Sequence, residues 1–110
     1  MSDLARFAED LRDNADTLTR RASQVVRKAA LDTMADAKTL APVDTGNLRN
    51  SITTDTRPGD LVAVVEATAD YSAYVEFGTR RMRPQPFMRP AQERNTPGFL
   101  EAISQLAEEV

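Results

Sequence analysis

The sequence predicts an α+β fold in which a long N-terminal helix packs on a small antiparallel sheet, followed by a short central helix and a C-terminal helix. Three observations carry this. Apolar residues recur at spacings of three and four from Leu4 to Leu40, and neither Pro nor Gly occurs before Pro42. Two β-rich segments then flank Arg57-Pro58-Gly59-Asp60, where Pro followed by Gly suits a type II turn. Helical spacing returns at Tyr71, Tyr74, Val75 and Phe77, and again at Phe99, Leu100, Ile103, Leu106 and Ala107.

A chain of 110 residues is expected to form a single domain, with 1–41 as the long helix, 42–91 as the motif-bearing hairpin, short helix and arm, and 92–110 as the C-terminal helix. The apolar set is 41% of the residues but only 5% are aromatic and none is Trp, so the core is expected to be thin and to gain support from neighbouring subunits. Absence of both Cys and His removes disulfides, thiol nucleophiles, imidazole bases and the usual zinc ligands. No catalytic, cofactor or metal site is therefore expected, and the protein reads as a non-enzyme. Lack of Cys also fits a reducing compartment. No apolar run approaches the roughly 20 residues that span a bilayer, and Asp3, Arg6, Glu9 and Asp10 stand where a signal peptide would be apolar. We expect a soluble protein with no membrane partner and no export signal.

The first helix is expected from Ser2 to Leu40. At 1.5 Å per residue it would be about 55 Å long, against a diameter of roughly 35 Å for a compact domain of this size. Either it breaks near Asp32–Asp36, where the stripe is weakest, and folds back, or it overhangs and packs on a neighbouring copy. Pro42 ends it; Asp44 or Thr45 caps a short turn, and Gly46 releases the backbone so that the chain reverses. The hairpin strands are 52–57 and 61–69, with a third strand expected from the region between Arg81 and Met88, because two strands alone are marginal in water. Asp70 is placed to cap the short helix and Gly78 to end it in a left-handed conformation.

Beyond Gly78, Pro84, Pro86 and Pro90 each remove a backbone donor and push the preceding residue towards extended geometry, so 79–89 is expected to be an extended arm. It carries Met82, Phe87 and Met88, which need apolar cover. A short helical stretch to Arg94 is expected next, and Thr96-Pro97 opens the last helix. Five arginines against Glu93 give the segment from Gly78 to Arg94 a balance of +4, leaving −7 on the rest of a chain whose net charge is −3. Arg80, Arg81, Arg83 and Arg89 could meet phosphate, pair with acidic surface on a neighbouring subunit, or stay solvated. Pairing with acidic neighbours is favoured, since guanidinium groups suit bidentate carboxylate contacts and the only aromatic available for base stacking is Phe87.

Two other features have sharper readings that the context disfavours. Asp44-Thr45-Gly46 is the triplet of aspartic proteases, but it follows a helix and Pro42 instead of a buried strand, and four glycines leave no flap-like segment. Glu76 lies between Val75 and Phe77, where a salt bridge to Arg80 or simple exposure is favoured over catalysis. The aromatics of the short helix are read as core or interface.

The order of A-P-V-D-T-G-N-L-R-N-S-I (Pro42, Asp44, Thr45, Gly46, Leu48), a hairpin, Y-S-A-Y-V-E-F-G-T (Tyr71, Tyr74, Glu76, Phe77, Gly78, Thr79) and P-Q-P-F-M-R-P-A (Pro86, Pro90) resembles the small neck and tail-completion proteins of long-tailed bacteriophages, the HK97 gp10-like group, also called minor capsid or tail-component proteins. That resemblance covers about Ala41 to Ala91. It implies a structural virion subunit of the head-tail junction, made in the host cytoplasm. It further implies a homo-oligomeric ring, six-fold by the symmetry usual in tails, between the head connector and the tail tube, with DNA passing through the lumen. A tail terminator, which also forms a ring, is the alternative within the virion. A nucleic-acid-binding protein using the arginines is the alternative from another class. From its own residues, not from the resemblance, the arm is expected to be a docking element: prolines lower the entropy lost on ordering, apolar residues need cover and arginines suit carboxylate pairing, which gives Arg80, Arg81, Met82, Arg83, Phe87, Met88 and Arg89 as the docking residues.

Overall fold

The structure, a computed structural model, describes residues 2–42 and 46–108. Helix α1 (Asp3–Leu40) is followed by helix α2 (Asn47–Ser51), strands β1 (Ile52–Asp55) and β2 (Val64–Ala67), helix α3 (Ser72–Phe77) and helix α4 (Met88–Glu108). The α+β fold expected from the sequence is the one observed. The turn residues Asp44 and Thr45 lie outside the described residues.

Helix α1 begins where Ser2 Oγ accepts from the Ala5 backbone N–H at 3.2 Å, with Asp3 in the first turn and Lys38 in the last, charges that oppose the helix dipole at each end. No break occurs at Asp32–Asp36; an i,i+4 pair between Lys28 Nζ and Asp32 at 2.7 Å spans that approach. Its 38 residues extend about 57 Å. The molecule accordingly measures 71 × 22 × 20 Å, and its radius of gyration of 19.2 Å compares with about 13 Å for a compact chain of this length. The overhang follows from an apolar stripe that contains no helix-breaking residue.

Gly46, at φ 79°, turns the chain into α2, whose Arg49 donates from Nε to the Lys38 carbonyl at 3.0 Å and so satisfies one of the open carbonyls at the end of α1. Strands β1 and β2 pair antiparallel, from Ile52 opposite Ala67 to Asp55 opposite Val64. Both are shorter than expected, and no third strand joins them among the described residues. The sheet gains its stability from packing on helix α1, as a two-stranded sheet must. At the hairpin turn the Gly59 N–H donates to the buried Ser23 Oγ of α1 at 2.9 Å.

The core gathers Ala37 and Ala41 with Leu48, Ile52, Phe87 and Ala91, and Met34, Val65, Val75 and Met88 pack around it. Among the described residues only Phe87 and Ile52 are large and fully buried. Helix α4 runs antiparallel to α1: Asn95 Nδ2 donates to Asp36 at 2.8 Å, Arg94 lies 3.5 Å from the other oxygen of the same carboxylate, and Leu106 sits beside Arg21 and Val25. The sequence reading opened the last helix at Thr96-Pro97, but α4 is continuous from Met88. Pro90 falls in its first turn, where the missing N–H has no intrahelical partner to lose. Pro97 stands inside the helix and withholds a donor from the Glu93 carbonyl. Just before it, Thr96 Oγ1 donates back to the Gln92 carbonyl and Asn95 Nδ2 to that of Ala91.

Candidate docking surface

Helix α3 starts after Tyr71, with no side-chain cap, and Ser72 turns back to bond the Ala69 carbonyl through both N and Oγ; Asp70 does not cap it. Gly78 closes the helix through its N–H to the Tyr74 carbonyl, at φ 77° and ψ 176°. Positive φ was expected, but this ψ belongs to a region open almost exclusively to Gly, not to the left-handed helical region. A Cβ there would sit 2.8 Å from Pro84 Cδ and 2.9 Å from the Met82 carbonyl oxygen, because the chain folds back over it.

That fold-back corrects the extended arm. Thr79 and Met82 exchange backbone hydrogen bonds, Gln85 N–H reaches the Val75 carbonyl at 2.8 Å, and Pro86 leads directly into Phe87. Phe87 is 1% exposed and finds its apolar cover in the core, so it is not available for docking as expected, whereas Met88 is half-buried, packed against the core on one side and lining the open groove on the other. Met82, in contrast, is exposed.

Glu76 has a role that sequence spacing did not disclose. Its Oε1 accepts from the Phe87 and Met88 amides at 3.2 and 2.9 Å, and its Oε2 from the Arg89 amide at 3.4 Å. A carboxylate on α3 thus caps the first turn of α4, supplying acceptors and a negative charge at the positive end of the helix dipole. The pairing with Arg80 is not formed. The only sequence signal is weak: α4 opens with Phe-Met-Arg-Pro, which offers no capping side chain of its own.

What remains uncovered falls into three features. The first is the overhang of α1, where Leu4, Phe7 and Leu11 are 78%, 59% and 54% exposed on one face. The second is an open groove of about 830 Å³ whose floor is Ala29 and Ala30 of α1 and whose rim includes Leu61, Val62, Val64 and Phe77. Phe77, like Tyr71 and Tyr74, is exposed and no part of the core. The third is the loop bearing Arg80, Arg81 and Arg83, none of which forms an ion pair among the described residues, with Arg89 on the groove wall paired to Glu93 at 3.1 Å in a solvent-exposed contact. Among the described residues no cluster of acidic side chains could hold a metal ion, and no helix is long and apolar enough to cross a membrane. These surfaces offer apolar contact and charge, the chemistry of assembly.

The family model described as bacteriophage HK97-gp10, tail-component, matches residues 3–78, from the first residue of α1 to the glycine that closes α3. The arginine loop and α4 lie beyond the match. No curated protein and no solved structure matches the chain.

Proposed function

The chain belongs to the bacteriophage HK97-gp10-like family of tail components, and from that membership we propose that it is a structural virion subunit of the head-tail joining region, forming a ring that links the head connector to the tail tube. The observation that carries the reading beyond the family is the overhang of α1. A helix about 57 Å long, with large apolar side chains bare on one face, has no use in an isolated subunit and exposes surface that monomeric proteins avoid. A repeated head-to-tail contact closes into a ring when its rotation permits. The arginine loop then serves as the docking element towards acidic surface on an adjacent subunit or ring, with Arg80, Arg81, Met82 and Arg83 in contact.

Complementation of a phage lacking the gene, scored by electron microscopy, tests this. Loss should yield filled heads and separate tails, and density for this chain should lie between connector and tube. Normal joining without the protein would remove the assignment, and density capping free tails would make it a tail terminator instead.

A further inference from the structure

The bare stripe of α1 and the apolar groove are parts of the same chain, yet they cannot meet within one molecule. Phe7 precedes Val26, on the groove wall, by 19 residues, about 28 Å along a helix with no break. An overhang seated in the groove must therefore belong to another copy. We propose that residues 3–18 of one copy seat the Leu4, Phe7 and Leu11 stripe in the groove of a second copy, a head-to-tail contact that repeats around the assembly. This inference rests on the self-association proposed above and names the surfaces that make it.

Two independent matches select this occupant. In size, large knobs on the overhang face a floor of Ala29 and Ala30, the large-against-small arrangement that lets helices approach closely. In charge, residues 3–18 hold Asp3, Glu9, Asp10, Asp13 and Asp16 against Arg6 and Arg12, a balance of −3. Arg89 and Glu76 lie on the groove wall, and Arg80, Arg81 and Arg83 follow Phe77 of the rim in the chain, so the segment from Glu76 to Glu93 holds four arginines against two glutamates, a balance of +2. Opposite signs steer the helix into register, and like-charged overhangs repel one another. The same stripe continues inside the subunit, where α4 covers it, so the incoming helix repeats packing that the fold already uses.

The absence of Cys from the chain makes a disulfide test clean. Single variants carrying Cys at Leu4, Phe7 or Leu11 are mixed with single variants carrying Cys at Val62 or Phe77 and oxidised. At least one mixed pair should cross-link about tenfold faster than either variant alone. Phe7→Asp should weaken self-association at least about tenfold in sedimentation while leaving the thermal melt of the dilute subunit unchanged, because Phe7 touches no core residue. Self-cross-linking of the overhang variants alone would overturn the proposal in favour of helix-to-helix pairing. Oligomers that persist in Phe7→Asp without mixed cross-links would overturn it while leaving the ring intact. A chain monomeric at every concentration would overturn both.

Discussion

Removing the Glu76 carboxylate isolates the contribution of one tertiary cap. In Glu76→Ala, three amides at the start of α4 lose their acceptor. The Met88 amide, at 2.9 Å and partly buried, makes the strong charge-assisted bond, for which about 1.5 kcal/mol is reasonable. The Phe87 amide at 3.2 Å adds about 0.5 kcal/mol, and the exposed Arg89 amide at 3.4 Å adds little, since water replaces the carboxylate there. The sum, about 2 kcal/mol, sits at the upper end of measured cap losses, as expected for a cap that also opposes the dipole of a 21-residue helix. Glu76→Gln keeps an acceptor but not the charge and should lose about half as much. In urea unfolding the Ala variant should shift its midpoint with an unchanged slope, and its melting temperature should fall by about 8 °C. A difference below about 0.5 kcal/mol would show that α4 is nucleated by packing alone and that the carboxylate contacts are incidental.

Three further outcomes follow from the same geometry. Gly78→Val should cost about 3 kcal/mol or more, because it combines a Gly-only backbone conformation with a Cβ pressed on Pro84, and a thermal melt matching the parent would refute the fold-back over that residue. Phe87→Ala should cost about 3–5 kcal/mol and leave a largely unfolded chain by circular dichroism; retained stability would contradict its place at the centre of the core. Reversing Arg80, Arg81 and Arg83 together to Glu should change subunit stability by less than about 0.5 kcal/mol while complementation gives heads and tails that fail to join, and full infectivity would show these side chains to be merely solvated.

Helix α1 was legible because its signal is local and sustained: 38 residues of periodic apolar spacing, uninterrupted by Gly or Pro until the terminating Pro42. The hairpin was legible in type and turn, though its strands are shorter because Leu61 and Val62 face outward without a partner strand. Residues after Gly78 were misread for one reason. Their prolines signalled extension, whereas the burial of Phe87 pulls the chain onto the core and Pro90 falls where a helix tolerates it. Neither fact is local. The same holds for Glu76, whose three partners lie 11 to 13 residues further on and are backbone groups without a side-chain signature. Of the docking surface, the arginines and the stripe were visible in composition and period, but the groove exists only once α1, the hairpin and α4 are assembled.

The proline inside α4 has a consequence for how the molecule opens. Around it three successive carbonyls, those of Ala91, Gln92 and Glu93, either accept from side chains or lack the usual helical donor, so the ladder is weakest at this point. The inner turns are bound by the Glu76 cap, the Asp36 contacts and Ala91; beyond Pro97 the buried anchor is Leu106. The two halves of α4 should therefore exchange their amide hydrogens as separate units, the outer one opening at lower free energy and on a shorter timescale than the unfolding of the core. Such an opening uncovers α1 between Arg21 and Lys28, next to the overhang, and lengthens the bare face of the helix without disturbing the fold that holds it.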